Sequence, residues 1–313
     1  MGPEFGVESP AFVAIRAVLS LCAVGLLGAM ALRWTVLPRY SGPDQERLRT
    51  VITDRLRSFI DWLGIIAVAA TVARLLAQHA AVFGVAERWS GETIGTLLFR
   101  AGWGRSWWLA VTAALAVTWL APRLRRGSRI AWAAVTLAVL AFAVSAPLSG
   151  HPAAAETPWL AVATQLMHII GAGGWLGSLA TLTLIAIPAA RRLFDTGDER
   201  VDASIAGLVR AFSPTALGFS ALLGLSGLLL AWENLGGLPA LWTSGYGRTL
   251  LLKLGTLSVV AATGAYNWRR VLPSLGEATS SARLRRSSLL ELLAAFVVLV
   301  ITAALVATPM PGE

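Results

Sequence analysis

Apolar residues in this chain come in blocks of about twenty, separated by short polar stretches rich in arginine. About twenty residues of α-helix rise roughly 30 Å, the thickness of a bilayer's hydrocarbon core. Read this way, the chain holds eight spans, at about 11–37, 58–79, 104–121, 130–148, 160–188, 214–232, 248–267 and 288–308. The stretch from Gly91 to Arg100 is too short to cross and reads as an interfacial helix ahead of the third span. The expected fold is all-α: a polytopic membrane protein of eight transmembrane helices.

Composition agrees with that pattern. The chain is 56% hydrophobic and only 14% charged, where a soluble domain carries about 25% charge. Too little loop remains for a separate soluble domain. The net charge of +9 would ordinarily raise nucleic acid as a partner. Here the charge is nearly all arginine in clusters between apolar runs, so it reads as a topology signal, with the lipid bilayer as partner and no nucleic acid. Lys253 is the only lysine and lies within an apolar run. Cys22 is the only cysteine, so neither an intrachain disulfide nor a Cys-x-x-Cys motif exists. Residues 1–5 read as a cloning remnant. The first run resembles a signal peptide at Ala29-Met30-Ala31, but Glu4 and Glu8 precede it and it continues to Leu37. A retained span is therefore expected.

Arginine placement orients the spans. The loops after spans one, three, five and seven hold eighteen arginines between them, among them Arg39, Arg47, Arg49, Arg123, Arg191, Arg200, Arg210 and Arg269. The intervening loops hold only Arg88, Arg100, Arg105 and Arg248. Arginine-rich loops stay cytoplasmic, so both termini are expected to face outward.

The chain also echoes itself. Gly102-Trp-Gly-Arg105 opens span three and Gly245-Tyr-Gly-Arg248 opens span seven. Ala146-Pro-Leu-Ser-Gly150 and Thr308-Pro-Met-Pro-Gly312 close spans four and eight. These pairs point to two parallel four-helix halves, residues 6–150 and 151–313. Shared interfacial chemistry is the competing explanation.

There are three histidines, His79, His151 and His168, and the arginine-derived topology puts all three on the outer side. Imidazole suits copper, zinc, iron and nickel, and thioether sulfur selects Cu(I). His79 and His151 fall at the water boundary. His168 lies about eight residues into span five, where an unpartnered polar group is costly. Met310 is on the same side and is a further candidate ligand. Met167 adjoins His168 and so points about 100° away on the helix, which favours packing. His168, Ala172, Trp175 and Leu179 share one face by helical spacing. Gly173 and Gly177, like Gly174 and Ser178, are four apart and allow close helix approach. Arg16, Arg74 and Lys253 are charges within spans near the outer side, placed to snorkel or to meet Glu156 or Glu233. Glu291 is placed to pair with an arginine of the seventh loop. No chain of intramembrane carboxylates marks a proton pathway. The bland reading stays beside each of these: interfacial histidines, a hydrogen-bonded core histidine and plain packing.

Several motifs in order resemble the copper resistance protein D (CopD) family of bacterial membrane proteins. They are Ser149-Gly-His-Pro152, His168-Ile-Ile-Gly-Ala-Gly-Gly-Trp-Leu-Gly177, Phe212-Ser-Pro214, Tyr246-Gly-Arg-Thr-Leu-Leu-Leu-Lys253, Gly264-Ala-Tyr-Asn-Trp-Arg-Arg270 and the span from Glu291 to Pro311. The resemblance covers residues 145 to 311 well; the first half matches through Gly104-Arg105 and the helix pattern. It implies about eight spans at the bacterial inner membrane and a link to copper uptake or tolerance. It also implies that the outward histidines bind copper, with His151 and His168 on the motif positions, His79 as a third ligand, and Trp175, Arg248, Lys253 and Glu291 in support. The expectation is a non-enzymatic protein that carries copper inward from a periplasmic histidine site. A periplasmic copper-binding protein is an expected partner. Binding is expected to weaken near or below about pH 6.5, as ordinary imidazoles protonate. Two other readings use the same residues: a b-type haem electron-transfer protein, and a copper chaperone that delivers without transport.

Overall fold

The computed structural model describes residue 6 and residues 9–124, 128–149, 157–194, 198–235, 237–266 and 269. Among these residues the ordered elements are all helical. We label them α1 (Pro10–Arg39), α2 (Gln45–Phe83), α3 (Gly91–Gly95), α4 (Gly102–Leu120), α5 (Arg129–Ser149), α6 (Pro158–Leu193), α7 (Glu199–Leu235), α8 (Ala240–Thr243) and α9 (Gly245–Tyr266). Five of them, α1, α2, α5, α6 and α7, are long and apolar enough to cross a membrane. The chain is a multi-pass membrane protein. The expected eighth span, 288–308, lies outside the described residues, as do residues 1–5, expected to be a cloning remnant.

Two helices run well beyond the lengths expected of them. The apolar pattern starts span two at about 58 and span six at about 214, where unbroken apolarity begins. The structure starts α2 at Gln45 and α7 at Glu199. The extra turns carry charged residues at helical spacing: Arg49 bonds Glu46, and Arg57 pairs with Asp54. Polar extensions of this kind satisfy their backbone within the helix and need no bilayer around them. Asp44 reaches Arg200 at 3.4 Å, which joins the α1–α2 turn to the start of α7.

The core is organised around α1 and α6. Helix α1 packs on α2 and α6, α4 lies between α2 and α5, and α7 covers the other side of α6. The glycines of α6 set these approaches. A Cβ on Gly28 would run into the Gly177 backbone, and one on Gly177 into the Val24 carbonyl. The two helices therefore cross backbone to backbone, as small residues permit in a membrane. On the α7 side, a Cβ at Gly171 would lie 2.7 Å from the Leu223 nitrogen, and Gly174 faces the Phe219 ring. Helix α6 is also widened by two π-type turns, Gly173–Gly177 and Leu182–Ala186. Large side chains such as Trp62, Ile65, Ile66 and Leu76 on α2, and Leu217, Leu225, Leu228 and Trp232 on α7, face out of the bundle. That exposure suits a hydrocarbon solvent.

Helices α4 and α9 begin alike. Each opens with Gly-aromatic-Gly-Arg and follows an extended residue, Ala101 or Ser244. In each, the second glycine admits a carbonyl of the short helical segment just before it: Leu97 and Leu98 at Gly104, Ala240 at Gly247. The Gly91–Arg100 stretch is helical as expected, with α3 capped by Ser90 and followed by a π-type turn.

Candidate metal centre

His168 sits ten residues into α6, about 15 Å along the axis from Pro158. Ser226 lies nine residues before the end of the antiparallel α7, at matching depth. The two side chains meet: His168 Nδ1 is 3.3 Å from the Ser226 hydroxyl oxygen. That hydroxyl also bonds the Leu222 and Leu223 carbonyls of its own helix, at 2.7 and 3.2 Å. Gly227 leaves the space the ring needs, because a Cβ there would lie 3.1 Å from the His168 Cε1. The ring is thus half-buried between two helices and fixed on its Nδ1 side. Lys253 of α9 is half-buried.

His79 lies elsewhere. It is buried near the end of α2, with Nε2 3.2 Å from the Thr93 hydroxyl of α3. Its ring stacks on Trp89 at 4.3 Å and 17°, and tilts against Phe83 at 5.1 Å. Thr93 in turn closes a capping box with Ser90. The Thr93 and Trp89 contacts of His79 therefore hold the 84–95 segment against α2.

His151, Met310 and Glu291 lie outside the described residues. Among the described residues no group of three His, Cys, Asp or Glu side chains gathers that could hold a metal. His79 and His168 have different neighbours. Trp175 does not face α7 as His168 does. It joins Leu21, Val24, Ala172 and Leu176 in a small cluster with α1. Met167 is exposed, and Arg248 is exposed in the first turn of α9.

Arg74 has a partner that sequence reasoning missed. Its guanidinium donates to the Ser149 hydroxyl at 2.7 Å and lies over the Trp103 ring. It thereby ties α2 to the residue that opens the Ser149–Pro152 motif. A second missed network joins α1 to α7 at the arginine-rich end. Thr215 donates to Thr35 at 2.9 Å, and Arg39 donates to both the Thr35 carbonyl and the Thr215 hydroxyl, at 2.8 and 3.2 Å. Pro214, which cannot donate a backbone hydrogen bond, stands beside Thr215. A Ser-Pro-Thr run inside a span was the available signal.

Comparison with known proteins fits this architecture. The family profile described as "Copper resistance protein D" matches residues 206–305, and that described as "Copper resistance protein D-like, N-terminal domain" matches residues 7–159. A Bacillus subtilis (strain 168) protein named "Copper transport protein CutJ" is 26% identical over 138 residues. The match takes in 44% of this chain and 24% of that relative, so the chain spans about a quarter of the relative's length. No solved structure matches it. The two profiles between them cover most of the described bundle, and the chain belongs to the copper resistance protein D family.

Proposed function

We propose that this protein moves copper across the bacterial inner membrane, and that His168 is the ligand through which the ion enters. The observation that carries this reading is a histidine inside the helix bundle, on a membrane-spanning helix, with its ring fixed from the neighbouring helix. Ionisable side chains at such positions are costly and mark ion pathways by default. Fixing one imidazole nitrogen orients the other toward a metal, and Ser226 does this at Nδ1. Nε2 is then the donor atom offered to copper, and His151 is the second ligand of the proposal.

In this reading the arginine-rich ends of α1, α2, α6 and α7 lie in the cytoplasm and the ends near His79, Pro158 and Leu235 face the periplasm. Eight spans complete the topology. His79 acts as a structural residue and leaves the ligand set. The relative's name, a copper transport protein, supports the cargo.

The test has two parts. Purified wild-type protein is expected to bind copper without a Soret band, and His168→Ala to lose that binding. Ser226→Ala is expected to weaken it by about tenfold, the effect of losing a supporting hydrogen bond. Unchanged stoichiometry and affinity in His168→Ala would overturn the site. Copper flux into sealed proteoliposomes then tests transport. Binding without flux would leave a chaperone role, and a Soret band would replace copper with haem.

A further inference from the structure

At the arginine-rich end, a cleft of about 310 Å³ opens between the end of α1 and the first third of α7. Arg39, Ser41, Gly207, Arg210 and Ala211 line it. It exists because Gly207 lets the chain after α1 lie directly on α7: a Cβ there would come within 2.7 Å of the Ser41 oxygen and 2.9 Å of the Tyr40 ring.

Two guanidinium groups share this small space without a carboxylate. Arg39 spends Nη1 on Thr35 and Thr215, and Arg210 spends Nε on the Ala206 carbonyl at 3.2 Å. Their remaining donors have no partner among the described residues. The acidic side chains that pair at this end choose other arginines: Glu46 takes Arg49, Asp54 takes Arg57, and Asp44 and Asp198 take Arg200. Neighbouring like charges repel, and an anion between them removes that repulsion. Guanidinium forks match phosphate oxygens in geometry as well as charge.

We infer that this cleft binds a phosphate group, held between Arg39 and Arg210 with the Ser41 backbone and hydroxyl at its edge. The inference is independent of the copper reading. Two sources share the chemistry. One is the headgroup of an anionic phospholipid, which the position where α1 ends and the charged turns of α7 begin would favour, since basic pockets between helices bind such headgroups. The other is free phosphate from the aqueous side.

The experiment uses the full chain in detergent. Thermal stability is followed by tryptophan fluorescence while phosphatidylglycerol, phosphatidylcholine or inorganic phosphate is added. Wild type is compared with Arg39→Gln, Arg210→Gln and Arg47→Gln. Arg47 is exposed, at the same end and outside the cleft, so its substitution removes the same charge without touching the site. The expected result is stabilisation by phosphatidylglycerol but not phosphatidylcholine, reduced about tenfold in apparent affinity by Arg210→Gln and unchanged by Arg47→Gln. Stabilisation by inorganic phosphate with the same arginine dependence assigns the site to the free anion. Arg39→Gln also loosens the Thr215 contact, so Arg210→Gln is the deciding variant. Equal losses in Arg47→Gln and Arg210→Gln, or no response to either phosphate source, would overturn the inference.

Discussion

At the scale of single residues, histidine chemistry divides by what each ring touches. His79 uses Nε2 on Thr93 and stacks its ring on Trp89, with Phe83 tilted beside it. His79→Ala is therefore expected to cost roughly 2 kcal/mol of stability, from one hydrogen bond and a stacked pair. Copper stoichiometry is expected to stay unchanged; a fall to that of His168→Ala would restore His79 as a ligand. His168 was legible as an expensive polar group in a span, and its depth was correct to within a turn. Its anchor was not legible. Ser226 lies 58 positions away, and nothing in the sequence distinguishes it from the other serines of α7. The loop carboxylate Asp198 makes a separate prediction. Hydrogen bonds from the Arg200 side chain and backbone hold it below its ordinary value of 3.8. A depressed carboxylate stabilises the fold above its unfolded pKa and loses that contribution as pH falls through the folded value. The start of α7 is therefore expected to loosen only under acid conditions, below about pH 4, and Asp198→Asn to behave at pH 7 as the native protein does in acid. Hydrogen exchange at residues 199–203 reads this directly.

Element by element, spacing determined more than residue type. The four-residue glycine repeat of α6 announced a close helix crossing, and the structure puts Gly177 against Gly28 and Gly174 against Phe219. Gly28→Val is expected to destabilise the bundle by about 3 kcal/mol or more, since neither backbone can withdraw, and thermal melting measures it. The π-type turns at Gly173–Gly177 and Leu182–Ala186 had no such announcement. The long polar starts of α2 and α7 were missed because a search for unbroken apolarity stops where the bilayer stops, while the helix continues. The shared Gly-aromatic-Gly-Arg opening of α4 and α9 has a concrete basis in the glycine that seats a preceding carbonyl. Gly104→Leu is expected to lift the Thr96–Arg100 turn from α4. The exposed Phe99, which tilts against Trp108 at 6.1 Å, would report this through a change in tryptophan emission.

For the whole molecule, the arginine distribution and the helix order describe one bundle with two unlike ends. Cysteine labelling tests the orientation: Arg47→Cys is expected to react only from the cytoplasm and Val85→Cys only from outside. Both residues are exposed, whereas the native Cys22 is buried and gives little background. Reaction of both from one side would overturn the topology. Membership of the copper resistance protein D family was legible in ordered motifs of the second half, while the first half, matched by the N-terminal profile over residues 7–159, showed little beyond Gly104-Arg105; the tie between Arg74 and Ser149 could be seen only in three dimensions. The Gly28–Gly177 crossing carries one more consequence. Side chains normally separate two helices like ball bearings, and changing their rotamers lets the helices slide. At Gly28 and Gly177 backbone meets backbone with no side chain between, so this point is the expected fulcrum for any movement of α1 against α6. A pivot there widens or narrows the crossing angle, so both ends of the pair are expected to spread or close together, as the blades and handles of scissors do.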